Sequence, residues 1–353
     1  MKTTSWILLF LLFATITPAS FANKNTEYLH LIYAAEEEIM LDNYKQALQR
    51  YNEAFDLKKE KIFAEDIYNA LTCALIIKDQ TQSRKLLNQL AKSGVGEAFI
   101  STKFGSKFAF DKSYFEAQCK IAKKVKRNFE QQNQKLSAII DKLEKEDQYF
   151  HTLWADYIQT KKIDFAKIEE DSMYTAMSIA DKRISKELKK IYDNGNTLSE
   201  FQLGAFTHSD TSLDNKGKAY IIIMHNYQGV KTADTLFKPI LKQQIENGDI
   251  KPLVFTLMSD ANNNKLKKDY GNTVGYVALK DQELYYNKFV YGNSEWNKSL
   301  DENRKSIHLY PLVNQLARLY YKTNRNTHGF VFFTASLWGN ATIEPEYFDK
   351  YKP

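Results

Sequence analysis

Between Pro18 and Pro239 the chain carries no proline, and between Gly105 and Gly195 it carries no glycine. Both residues interrupt helices, proline by removing a donor and clashing with the preceding turn, glycine through its backbone entropy. A chain rich in Lys, Glu, Gln and Leu that lacks both over such distances is expected to be helical. The fold class expected is therefore mainly α: helical hairpins and a long helix, followed by an α-rich domain with a small β-hairpin. Aromatic residues make up 14% of the chain, enough to fill cores without covalent staples.

Residues 1–22 read as a cleaved secretory signal. Lys2 supplies the charged start, Trp6 to Ala14 the apolar stretch, and Ser20-Phe21-Ala22 the small residues a signal peptidase reads, so cleavage is expected before Asn23. No later segment approaches the ~18 apolar residues a membrane span needs, so no transmembrane anchor is expected. The protein is expected to be exported, periplasmic or secreted. Lys2 leaves with the leader, and the formal charge of +6 falls by one. So mild a basic excess on an exported chain argues against nucleic acid as a partner. Cys73 and Cys119 are the two cysteines, which excludes a disulfide framework and a four-cysteine zinc site. Both sit on helical runs and read as buried free thiols, with a single bridge as the alternative.

Residues 23–112 hold two helical pairs. In the first, Leu31, Ala34 and Ala35 precede Asp42-Asn43-Tyr44, followed by Ala47, Tyr51 and Ala54. This pattern resembles a tetratricopeptide repeat, in which small residues let two antiparallel helices approach and aromatics fill the notch between them. A second unit, with Tyr68, Leu71, Leu75, Asp79, Leu87 and Ala91, ends at Gly94 and departs from the pattern at Arg84 and Asn88. Two repeats cannot cover their own apolar faces, so a downstream element must cap them. The candidate cap is residues 113–160, where Phe115, Ala122, Phe129, Leu136, Leu143, Phe150 and Tyr157 recur every seven residues. The spacing predicts one long helix, or two with a kink. Between repeats and cap, Gly94 to Asp111 reads as a loop anchored by Phe99, Phe104, Phe108 and Phe110. In the charge run Lys120, Lys123, Lys124, Lys126 and Arg127, the residues Lys120, Lys124 and Arg127 share a helix face that reads as solvated, with contact to acidic partners or lipid headgroups as the alternative.

Residues 161–353 gain glycine, asparagine and proline and read as an α-rich domain. Asn194-Gly195-Asn196-Thr197 separates two helices, Leu236 to Asn247 is closed by Gly248, and Ala219 to His225 reads as a buried helix. The alternation near 273–291 predicts the β-hairpin. From Leu136 to Val313 the chain is similar to a family of uncharacterised bacterial domains from secreted or envelope settings. The likeness rests on Asp181 with Leu188 and Ile191 before a Gly-Asn-Thr turn, His225 after an apolar run, Asp260, Tyr270-Gly271, and Asp301 with Arg304 and Leu309. Met224, Ala261 and Asn272 stand where that family usually has glutamine, arginine and threonine. The resemblance implies an architecture and a set of positions, not a reaction.

The catalytic candidates are therefore His225, Asp260, Tyr270, Asp301 and Arg304. His225 reads as a base oriented by Asp260, or else as a satisfied structural imidazole. Asp301 and Arg304, at i and i+3, read as a local ion pair before a substrate clamp. Thr207-His208-Ser209-Asp210 reads as a capped turn. The six histidines include no pair spaced three or four apart, so no metal and no cofactor is expected. Two functions follow: a non-catalytic binding or scaffold protein that uses helical surfaces to hold another envelope or secreted protein or peptide, or an exported hydrolase with its site near His225 and Asp260.

Overall fold

The structure, a computed structural model, describes residues 18–161, 170–208, 212–213, 217–229, 233–260, 295–311, 314–315, 317–318, 321–322 and 325–332. The leader before Pro18, Tyr270 and the hairpin expected near 273–291 lie outside the described residues. The fold is mainly α. Four helices come first: α1 (Pro18–Met40), α2 (Tyr44–Leu57), α3 (Ala64–Ile76) and α4 (Gln80–Lys92). The short links make α1/α2 and α3/α4 antiparallel neighbours, and Ala35, Ala47, Tyr51, Ala54, Tyr68, Leu71 and Leu87 are all buried between them. Asp79 caps α4 by accepting from the Gln82 amide at 3.0 Å.

The stretch read as a loop after Gly94 contains a helix, α5 (Glu97–Phe104). Three phenylalanines drive it: Phe99, Phe104 and Phe108 are buried, whereas Phe110 stays 41% exposed and stacks on Phe108 with ring centroids 5.1 Å apart. Gly94, at φ +93°, is required by close approach as well as conformation, since a Cβ there would sit 2.9 Å from the Gly204 Cα.

The long element is two helices, α6 (Lys112–Gln132) and α7 (Gln134–Thr160). The break is at Asn133, whose side chain donates to the Phe129 carbonyl at 3.0 Å and the Gln202 carbonyl at 2.8 Å. There the buried stripe changes allegiance. Phe115, Cys119 and Ala122 on α6 join a first core with α1 to α5, while Ile140 and Leu143 on α7 join a second. Lys120, Lys124 and Arg127 are exposed, as a solvated face requires. Cys73 and Cys119 are free thiols, both buried.

The second core is built on α8 (Ser172–Asp193), α10 (Gly217–Gly229), α11 (Ala233–Glu246) and α12 (Pro252–Asp260), with the short α9 (Glu200–Leu203) between α8 and α10. The run from Ala219 to His225 is helical, within α10. Asp171 caps α8 through the Met173 and Tyr174 amides at 2.8 and 3.1 Å. A two-stranded antiparallel ladder pairs β1 (Thr207–His208) with β2 (Ser212–Leu213), and Ser209 and Asp210 of the capped turn expected there lie outside the described residues. After α13 (Glu295–Lys305) the chain returns to the first core, where Ala317, Tyr321, Phe330 and Phe332 are buried. Asn69 holds that return from both sides, donating to the Val331 carbonyl at 2.7 Å and accepting from its amide at 2.9 Å. The first helical pairs are thus covered by α6 and also by residues far downstream, which no local pattern announces.

A buried polar seam joins the two cores. Lys251, just before α12, reaches Glu65 at 2.9 Å and Asp66 at 2.7 Å on α3. Arg318 meets Glu36 of α1 at 2.6 Å and lies over the Tyr310 ring, 3.9 Å from its centroid. Asn25 donates to the Ile245 carbonyl at 2.7 Å, and at the seam's exposed edge Lys61 pairs with the buried Asp249 at 2.8 Å.

Candidate active site

The chemistry gathers where α7, α8 and α10 meet. Asp147 and His151 stand at i and i+4 on α7 and therefore share a face. Asp181 comes from the middle of α8 and His225 from α10, both helices packed against α7. The contact is pinned around the cluster. Lys218 reaches Asp141 at 2.9 Å and Glu144 at 2.8 Å, Arg183 pairs with Glu146, and the Ser185 hydroxyl donates to Asn226 beside His225.

Within the cluster, His225 Nδ1 lies 2.6 Å from Asp147 Oδ2, and His151 Nε2 lies 3.3 Å from Asp181 Oδ1 and 3.8 Å from Asp147 Oδ1. The two imidazole rings stack with centroids 4.0 Å apart. Both carboxylates are fully buried, whereas each histidine side chain keeps 16% of its surface exposed. The acids form the floor and the rings form the rim. Gln148 Nε2 also approaches Asp147 Oδ2, at 3.1 Å. The other carboxylate oxygens, Asp147 Oδ1 and Asp181 Oδ2, have no hydrogen-bond partner. Buried polar atoms are usually paired, and these two carboxylate oxygens lie together in one cluster. Asp147, His151 and His225 each offer one ligand atom within 4.8 Å of the others, close enough to hold a metal ion.

The sequence candidates divide. His225 is in the cluster, but its described carboxylate partner is Asp147. Asp260 ends α12, and its side chain, like Tyr270, is outside the described residues. Arg304 is buried and turns inward, donating from Nε to the Tyr310 carbonyl at 2.8 Å and from Nη2 to Gln315 Oε1 at 2.5 Å. Asp301 lines a cleft of about 630 Å³ between α1 and α13, with Tyr33, Glu37, Lys298 and Tyr310 among its other walls. His225 does not line that cleft. Sequence reasoning missed Asp147 and His151 because it sought histidine pairs. The signal was an aspartate four residues before a histidine on a predicted helix.

No protein-family model, curated protein or solved structure matches the chain. The cluster's own chemistry therefore carries the functional argument.

Proposed function

We infer that the chain is an exported hydrolase whose reactive centre is the Asp147, His151, Asp181 and His225 cluster. One observation carries the reading: two buried carboxylates hold two stacked imidazoles at a solvent-reaching rim. A carboxylate on Nδ1 fixes the tautomer and orientation of His225 and leaves Nε2 to take a proton from a water attacking the substrate. Export rests on residues 1–22. Cleavage before Asn23 would remove the first five residues of α1 and keep Asn25 with its bond to the Ile245 carbonyl. The test is a panel of chromogenic esters, amides, phosphoesters and glycosides, applied to protein recovered from the exported fraction with Asn23 confirmed as its first residue. Loss of one base is expected to lower turnover by about 10²–10⁴-fold in His225→Gln. Turnover unchanged by that substitution, or absent against every class, refutes the reading.

The cleft beside Asp301 supports a second reading, a scaffold that holds an envelope or secreted peptide against α1. Its wall of Tyr33, Leu309 and Tyr310 is apolar and its rim of Glu37, Asp301, Lys298 and Lys305 is charged, the make-up of a peptide groove. Affinity capture from envelope extract tests it: a partner held by the intact chain should be lost with Ala34→Arg, and one retained by that variant binds elsewhere.

A further inference from the structure

We propose that Asp147, His151, Asp181 and His225 bind one divalent first-row transition-metal ion, with zinc the best match.

The argument starts from the donors. Zinc takes histidine nitrogen at ~2.0–2.1 Å and carboxylate oxygen at ~2.0–2.2 Å, so two ligands of one ion lie roughly 3–4 Å apart. Of the separations within this cluster, 3.3 Å (His151–Asp181) and 3.8 Å (His151–Asp147) fall in that range and 2.6 Å (His225–Asp147) lies just below it. Small side-chain rotations would therefore complete a coordination shell. The unpartnered oxygens give an independent reason. Asp147 Oδ1 and Asp181 Oδ2 are buried without a donor, and Asp147 Oδ1 already faces the His151 ring. A buried carboxylate needs a cation or hydrogen bonds to offset its desolvation, and a dication among these four groups balances the formal charge of both acids at once.

Ligand type selects the ion. Two imidazoles with two carboxylates suit zinc, manganese, iron(II), cobalt or nickel; calcium and magnesium prefer all-oxygen shells, and copper(I) prefers thiolates. Cys73 and Cys119 belong to the first core, away from these helices. Outer contacts support the shell as well. Gln148 bonds the Asp147 carboxylate, and the Ser185–Asn226 pair fixes α10 beside His225. With both imidazoles at the rim an ion can enter from solvent, and the four side chains would fill a tetrahedral shell.

The metal site uses the same residues as the hydrolase reading, and a His225 that ligates an ion no longer serves as the general base, so metal binding is tested without turnover. The full chain is stripped with chelator, dialysed against zinc, and assayed by elemental analysis and titration calorimetry. Cobalt is bound in parallel and followed by its visible absorption. One equivalent of zinc per chain is expected, with affinity reduced at least 10–100-fold in Asp147→Asn and in His151→Gln. His30→Gln, outside the cluster, should bind as the parent does. Circular dichroism identifies the variants that retain the helical fold; His151, at the rim, supplies the second variant should Asp147→Asn fail to fold. No stoichiometric zinc on the parent, or equal affinity in a folded cluster variant, overturns the site. Stoichiometric binding with no hydrolysis upholds the site and sinks the hydrolase reading alone.

Discussion

Replacing Lys251 with methionine is expected to lower the free energy of unfolding by about 3–5 kcal/mol, the usual cost of removing one partner from a buried ion pair. Its ammonium sits between Glu65 and Asp66, both carboxylates buried, with the Phe63 ring 5.4 Å away. Burial opposes the charge, but the Asp66 and Glu65 carboxylates outweigh it and hold the ammonium well above its ordinary pKa. Methionine fills the aliphatic volume and supplies no charge, leaving two acids in a place water does not reach. Asp66 keeps the Tyr28 hydroxyl as a donor, so it is only partly abandoned. Urea unfolding at neutral pH measures the loss, and adding Glu65→Gln and Asp66→Asn to Lys251→Met should recover most of it. A loss under about 1 kcal/mol in the single variant would mean that water enters the seam and the pairs are effectively exposed.

That seam also marks where sequence reading stopped. Helix content was legible because proline and glycine are absent over long distances and the seven-residue stripe from Phe115 to Tyr157 repeats along α6 and α7. The pattern allows two helices with a kink but does not place the break at Asn133, since one of the two carbonyls its side chain bonds belongs to Gln202, far away in the chain. The return of Tyr321, Phe330 and Phe332 to the first core was hidden for the same reason: long-range docking leaves no periodic trace. In the candidate site the sequence singles out His225 with Asp260 as its orienting acid, whereas the carboxylate its ring meets among the described residues is Asp147. Pairing across α7, α8 and α10 decides which carboxylate meets which ring. A short-range search could have found only half of it, Asp147 and His151 on one helical face. The other half, Asp181 opposite His151 and His225 opposite Asp147, depends on how three helices cross.

The polar seam has a second measurable property, a stability that falls as pH rises. Glu200, at the start of α9, accepts from the Ala64 amide at 2.7 Å and is 8% exposed. Burial pushes its carboxyl up to about 7 from 4.5; the Ala64 amide and Lys251 pull it back, and Asp66 and Glu65 add to the rise. The folded state therefore holds a proton that the unfolded chain releases near pH 4.5. Between those values the native state binds more protons, so the slope of unfolding free energy with pH is negative. The contribution is complete below about pH 4.5 and is lost progressively as pH climbs to about 7, amounting to roughly 3 kcal/mol at 1.36 kcal/mol per pH unit. Glu36 is pushed up to about 7 by burial against the pull of Arg318, so it adds a slope of the same sign. Comparison with Glu200→Gln isolates the Glu200 part, because glutamine retains an oxygen for the Ala64 amide and cannot ionise. Urea unfolding from pH 4.5 to 8 should show the variant gaining on the parent by roughly 3 kcal/mol across the range. Parallel curves would mean that Glu200 has an ordinary carboxylate pKa and that Lys251 supplies all the compensation it needs.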